Sequence, residues 1–113
     1  MKTNWKKTDA SEILRTVSPD KAFLFFEDEG NYTGKLATNL AGFLADIKTV
    51  PANSVAFHFK RGDFEKWIQE ILHDPTLAQR IKRIKKSYSG KELRDKVSQI
   101  VKKRLRELQK RSH

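Results

Sequence analysis

The residues with the clearest capacity for chemistry are the cations in the last third of the chain. Fourteen of the 24 Lys and Arg residues lie from Leu77 to His113, against three Asp or Glu, which gives this segment a net charge of +11. The segment from Met1 to Thr76 carries 10 basic and 11 acidic residues, a net charge of −1. This asymmetry indicates a surface that meets a polyanion, such as nucleic acid, an anionic membrane or an acidic protein.

The basic residues form two dense groups whose composition suits contacts with phosphates. Five of them lie between Arg80 and Lys86, and most of the others lie between Lys102 and Arg111. Contacts of this kind release counterions and carry no base-sequence information. The predicted nucleic-acid-binding residues are Arg80, Lys82, Arg83, Lys85, Lys86, Lys91, Arg94, Lys102, Lys103, Arg104, Arg106, Lys110 and Arg111.

Two readings of these cations compete with nucleic-acid binding. Favourable cations at a helix C-terminus or on a solvated helix face explain a few basic residues but not fourteen. A protein-interaction adaptor that binds an acidic protein is the main alternative function. Within nucleic acids, RNA or a ribonucleoprotein surface is slightly preferred over duplex DNA, and Tyr88 alone offers a thin platform for base stacking.

A second group of residues predicts a small polar pocket. His58, Arg61, Asp63 and Trp67 lie close together in sequence, with His58 as a candidate acid or base and Asp63 as the group that orients it. Three of the four have a stronger structural explanation: Asp63 as a helix N-cap, Trp67 as core, and His58 as a partly buried side chain bonded to the backbone. We therefore predict a non-enzymatic protein with no catalytic residue.

Composition bounds the remaining possibilities. The chain has no cysteine, and its three histidines, His58, His73 and His113, are widely separated, so neither a metal site nor a cofactor is predicted. No apolar run approaches the length of a transmembrane helix, and no signal peptide is recognisable. We expect a cytoplasmic protein without a membrane span.

Hydrophobic periodicity predicts the elements that position these residues. A short helix over 9–17 begins at Asp9, and Trp5 is a candidate to hold the start of the chain against the body. The aromatic run 22–26 predicts a strand, and the acidic turn 27–31 predicts a hairpin. Leu40, Phe43, Leu44 and Ile47 predict a helix over 38–49 capped by Thr38 or Asn39.

The rest of the pattern is helical. Residues 54–59 fit either a strand or a short helix, and the helix is favoured with Asn53 or Ser54 as its cap. Further helices are predicted after Gly62-Asp63, after Asp74-Pro75 and over 91–110. The fold class is therefore α+β and mostly α, with a short N-terminal strand or β-hairpin followed by four to five helices.

Length favours a single domain over 1–113, with a charge-balanced globular body over 1–76 and a basic amphipathic helical extension over 77–113. The apolar stripe of the last helix, from Leu93 to Leu108, suits either packing on the body or pairing with a second copy. A homodimer formed through this helix is the second possibility.

Six short motifs follow one another between Lys21 and Ala78. They are Ala22-Phe23, Ala37-Thr38-Asn39-Leu40, Lys48-Thr49-Val50-Pro51, Ser54 to Phe59 with His58, Asp63-Phe64 with Trp67, and Asp74 to Ala78. Their order and spacing resemble an uncharacterised prokaryotic family of unknown function. The resemblance implies a mostly helical body and a helix near 54–60, and it implies no activity.

Overall fold

The computed structural model describes residues 10–111. Residues 10–13 are helical, a 3-10 turn follows at Pro19–Lys21, and strands β1 (Phe23–Asp28) and β2 (Asn31–Ala37) form an antiparallel hairpin. Gly30 adopts φ 78° in the turn between the strands, a backbone conformation that glycine accepts without steric cost. The predicted hairpin is therefore confirmed.

The first helix ends earlier than the sequence pattern predicts. Nη1 and Nη2 of Arg15 donate hydrogen bonds to the carbonyls of Glu12 and Ile71, and the N–H of Val17 donates to the carbonyl of Thr38. These contacts draw the chain away from the helix axis after residue 13. Asp9, the predicted start of this helix, and Trp5 lie outside the described residues.

Five helices follow the hairpin, which confirms the predicted fold class. Two corrections concern the residues at which these helices begin. The helix at Ala52–Arg61 is preceded by Pro51 and not by the predicted caps Asn53 or Ser54. In the helix at Asp63–Glu70, the cap position predicted for Asp63 is occupied by Gly62, which has φ 75°. Because Gly62 ends one helix in the left-handed conformation, the next begins directly at Asp63. The helices are α1 (Leu40–Thr49), α2 (Ala52–Arg61), α3 (Asp63–Glu70), α4 (Pro75–Lys82) and α5 (Gly90–Arg111).

Two caps match the sequence pattern. The Asn39 side chain accepts a hydrogen bond from the N–H of Gly42 at 2.8 Å, and the Asp74 side chain accepts one from the N–H of Leu77 at 3.2 Å. Each satisfies a donor that the first turn of a helix leaves unpaired. These caps fix the starts of α1 and α4.

The core lies between the hairpin and the helices. Phe25, Phe43 and Phe64 are fully buried, and the Phe43 ring stacks on Trp67 with ring centres 5.4 Å apart. Phe23 meets the same cluster from β1. Aromatic residues spaced far apart in the sequence thus close the sheet onto α1 and α3.

Helix α5 belongs to this core. It packs against α1, α2 and α4, and Leu93, Val97, Val101 and Leu108 are fully buried along one side. The apolar stripe of this helix therefore packs on the body of the same chain, which is the first of the two possibilities given by the sequence. In the part of the chain that the structure describes, no helix combines the length and apolarity needed to cross a bilayer.

Candidate nucleic-acid interface

The C-terminal half of α5 presents cations to solvent. Lys102, Arg106 and Lys110 are exposed and recur every four residues, so they lie about 6 Å apart along one side of the helix. Lys103 and Arg111 are exposed as well. This half of α5 therefore carries a dense positive surface.

Glu107, the only acidic residue between 102 and 111, is held by two arginines. Its two oxygens accept hydrogen bonds from Nη1 of Arg80 at 3.0 and 3.1 Å, and one also accepts from Nη1 of Arg104 at 3.1 Å. Partial burial works to raise the pKa of Glu107, but the two guanidinium groups outweigh it, and its pKa is lowered. The one carboxylate of this segment is thus used to join α5 to α4.

Arg104 does not lie on the predicted surface. It is 4% exposed, and its Nε and Nη2 donate to the two carboxylate oxygens of Asp74 at 2.9 and 3.0 Å. Burial works to lower the pKa of Arg104, but Asp74 and Glu107 outweigh it, and the pKa is raised. The inclusion of Arg104 among the phosphate contacts is corrected: its guanidinium is enclosed by carboxylates and shielded from solvent.

Two further predicted residues stand apart from this surface. Half-buried Arg94 donates to the carbonyls of Lys48 at 2.9 Å and Val50 at 2.6 Å, where α1 ends. Lys91 is exposed near the start of α5, with Nζ 3.8 Å from Asp95. Arg94 therefore ties α5 to α1, while Lys91 lies beside a carboxylate.

The basic residues of α4 divide between two sides of the helix. Arg80 and Arg83 line one shallow depression, and Arg80 reaches Glu107 of α5. Lys82 lies in a different cleft, which Glu65 and Glu70 of α3 also line. Through Arg80, the first of these two depressions contacts α5.

The loop after α4 carries two more predicted cations. Lys85 and Lys86 are exposed, and Nζ of Lys86 lies 4.3 Å from the centre of the Phe59 ring. This distance is within the range of a cation–π interaction. Lys86 therefore covers an edge of the core as well as carrying charge.

The cations gathered where α4 meets α5 form a surface that we call the basic seam. Lys103 precedes Glu107 by four residues, and Lys110 and Arg111 follow it by three and four, so all three share its side of α5. Arg106 lies at the outer margin of that side. The basic seam comprises Arg80, Arg83, Lys103, Arg106, Lys110 and Arg111.

Sequence reasoning missed the acidic residues that select which arginines are free. Asp74 was predicted only as a residue that precedes a helix, and Glu107 only as one of the three acidic residues of the basic segment. A signal for Arg104 was present, because it follows Val101 by three residues and precedes Leu108 by four, which places it on the buried stripe. An arginine at such a position requires a carboxylate partner elsewhere in the fold.

The four residues of the predicted polar pocket share one surface groove. His58, Arg61, Asp63 and Trp67 all line an open groove of about 570 Å³ between β1, α2 and α3. Trp67 is largely buried, and its Nε1 donates to the carbonyl of Lys21 at 2.8 Å. The four residues are thus brought together as the sequence predicts.

His58 is held from both ring nitrogens. Its Nε2 accepts a hydrogen bond from the N–H of Phe26 at 2.9 Å, so Nδ1 carries the proton and donates to Asp63 at 2.8 Å. Nε of Arg61 donates to the same carboxylate oxygen at 3.1 Å. Burial lowers the pKa of His58 more than Asp63 raises it, which keeps the ring neutral near pH 7.

This geometry gives His58 a structural role. Both nitrogens are occupied by protein partners, so neither can take or give a proton to a ligand without breaking an internal hydrogen bond. Over residues 10–111 no group of three or more His, Asp or Glu side chains is placed to hold a metal ion. The hydrogen bond from the N–H of Phe26 to Nε2 agrees with the expectation that His58 bonds to the backbone.

Comparison with known proteins gives one match. A family model with the description "Family of unknown function (DUF5752)" covers residues 30–113, from the hairpin turn through α5. No curated protein and no solved structure matches the chain significantly. The matched region includes every residue of the basic seam.

Proposed function

We propose that this chain, which belongs to the DUF5752 family of unknown function, is a non-enzymatic protein that binds nucleic acid through the basic seam. The observation that carries the proposal is the distribution of charge on α5. Residues 102–111 expose five cations, and their single carboxylate is shared between Arg80 and Arg104. Arg80 is paired with Glu107, whereas the other cations of the seam are exposed and free to meet phosphates: Arg83, Lys103, Arg106, Lys110 and Arg111.

The physical basis of binding is the release of counterions from the phosphate backbone. Each phosphate neutralised by a Lys or Arg adds about 0.7 to 0.9 to the slope of log affinity against log salt concentration. If four of the six seam residues contact phosphates, the slope is about −3. Binding of this strength depends little on base sequence.

Base stacking contributes little to the proposed interaction. Tyr88, the one aromatic residue of the basic segments, is half-buried, and Nζ of Lys96 lies 5.4 Å from its ring centre. With that ring covered, contacts with phosphate and sugar dominate. RNA is the first ligand to test, with duplex DNA as the second.

The test is a fluorescence-anisotropy titration against single-stranded RNA, duplex RNA and duplex DNA at several salt concentrations. The seam variant carries Arg83→Glu, Lys103→Glu, Arg106→Glu and Lys110→Glu, all at exposed positions. We expect the wild type to lose affinity steeply with salt, and the seam variant to bind at least about 100-fold more weakly at low salt.

A matched control separates a local surface from total charge. Lys21→Glu, Lys35→Glu, Lys48→Glu and Lys60→Glu change the net charge equally at exposed positions outside the basic seam. This control should retain most of the affinity. Equal losses in the two variants, or no binding by the wild type at low salt, would reject the seam as a nucleic-acid interface and favour the alternative of an acidic protein partner.

A further inference from the structure

The groove that holds His58 has a composition opposite to that of the basic seam. Phe26, Phe57 and Trp67 contribute aromatic surface to its lining. Arg61 extends over the Phe57 ring, with its guanidinium carbon 4.9 Å from the ring centre. The aromatic lining thus already accepts one cation from the protein itself.

The charged residues at the groove are mainly acidic. Asp28 is the last residue of β1, Glu29 lies in the hairpin turn, and Glu70 is the last residue of α3. All three are exposed, and none forms an ion pair within residues 10–111. Asp63 already accepts hydrogen bonds from His58 and Arg61. Besides Arg61, Lys66 is the cation that lines the groove. The carboxylates free to meet a ligand therefore outnumber the free cations.

The apolar surface continues from the groove onto the outer face of the hairpin. Leu24 lines the groove, is 41% exposed and pairs with Leu36, which is 45% exposed. Phe26 pairs with Tyr32, and their ring centres are 5.4 Å apart. Within residues 10–111 the large hydrophobic side chains that are exposed to solvent are these three: Leu24, Tyr32 and Leu36.

We propose that the groove and the adjoining hairpin face bind a peptide segment of a partner protein that combines basic residues with aromatic or aliphatic anchors. The apolar lining would take the anchors, and Asp28, Glu29 and Glu70 would pair with the basic residues. The extent of the surface favours a peptide, because it continues beyond the groove along both strands of the hairpin. The charge excludes an acidic segment.

This site is independent of the basic seam. The partner that it selects is basic, whereas the seam selects an anion, so one protein would meet two ligands of opposite charge on different elements. The basic seam would repel a basic peptide of this kind. Failure of either proposal leaves the other intact.

The test probes an array of synthetic dodecapeptides of random sequence with the full-length, fluorescently labelled protein at physiological salt. We expect the retained peptides to be enriched in Lys or Arg together with Trp, Phe or Leu. Their affinities are then measured by anisotropy for the wild type and three variants.

The variants separate charge from apolar contact. Glu29→Lys/Glu70→Lys changes the charge at the groove, and Leu24→Ser removes an exposed apolar contact; each should weaken binding about tenfold, which corresponds to about 1.4 kcal/mol. Glu92→Lys/Asp95→Lys makes the same charge change on α5 and should leave binding unchanged. Circular dichroism establishes that each variant is folded.

Three results would overturn the proposal. The first is an array that retains no peptide, and the second is a set of retained peptides that are acidic. The third is that the retained peptides bind both groove variants as tightly as the wild type. Nucleic-acid binding serves as a separate readout, because the groove variants should leave it intact and the seam variant should leave peptide binding intact.

Discussion

The basic seam and the groove both place arginine beside carboxylate, yet the two regions treat charge in opposite ways. At the seam Asp74 and Glu107 hold Arg104 inside the protein, and the neighbouring cations stay exposed. At the groove Asp63 holds His58 and Arg61, and the neighbouring carboxylates stay exposed. The local partners of each ion, more than the composition of the segment, decide which sign of charge reaches the solvent.

The largest expected effect comes from removing the buried cation. Arg104→Met leaves Asp74 without its ion-pair partner in a buried site, and we expect the free energy of unfolding to fall by about 3 to 5 kcal/mol. Urea denaturation measures this change. Arg106→Met removes an exposed cation two residues away and should change stability by less than about 0.5 kcal/mol. Equal stability of the two variants would contradict the assignment of Arg104 as structural.

A smaller effect, with opposite signs for stability and binding, is expected at Glu107. Glu107→Gln removes the charge that holds Arg80, so the free energy of unfolding should fall by about 1 kcal/mol, allowing for partial exposure. The released Arg80 should tighten nucleic-acid binding severalfold and steepen the salt slope by about one phosphate contact. Glu92→Gln removes an equal charge from the same helix without releasing an arginine. A gain in affinity as large in Glu92→Gln would show that Arg80 is not involved.

The lowered pKa of His58, which lines the groove, predicts that the stability of the protein depends on pH. Its pKa is lowered from 6.5 in the folded chain, so on acidification the unfolded chain takes up a proton first. This contribution to stability is complete above pH 6.5 and falls as the pH drops through that value. Protonation would also place an N–H of His58 against the N–H of Phe26. Glu107 adds a similar loss at lower pH, because its pKa is lowered from 4.5.

The control for this dependence is His58→Gln, whose amide can accept from Phe26 and donate to Asp63 without titrating. Thermal unfolding of both proteins between about pH 8 and pH 5.5 should show a decline in the wild type that His58→Gln lacks. Parallel curves would indicate that His58 does not couple folding to proton binding.

The smallest predicted effect tests a cap outside both regions. Asn39→Ala removes the acceptor for the N–H of Gly42 and should lower the free energy of unfolding by about 1 kcal/mol. Asn53→Ala removes only an exposed side-chain contact with Glu27, and we expect it to change stability by less than about 0.5 kcal/mol. If urea denaturation gives the same free energy of unfolding for both variants, the Asn39 cap does not stabilise the protein.

Much of the fold follows from local patterns. The apolar stripes around Phe43, Trp67 and Val97 give three helices, and the run of aromatics before an acidic turn gives the hairpin. The helix at 52–61 was ambiguous, because Val55, Phe57 and Phe59 fit either period. The end of the first helix was predicted too late, because the carbonyls of Thr38 and Ile71, far away in sequence, accept hydrogen bonds from Val17 and Arg15.

The sequence by itself determined the helical character, a cap at Thr38 or Asn39, the cap at Asp74, the position of the positive charge and the proximity of His58 to Asp63. These properties depend on neighbours within a few residues, where helix geometry fixes the spacing. Only the tertiary structure decided that Asp74 is the partner of Arg104, that Arg83 stays exposed, and that β1 supplies the backbone donor for His58. Those outcomes depend on ion pairs and hydrogen bonds between residues about 30 positions apart, whose meeting requires the whole core to be packed.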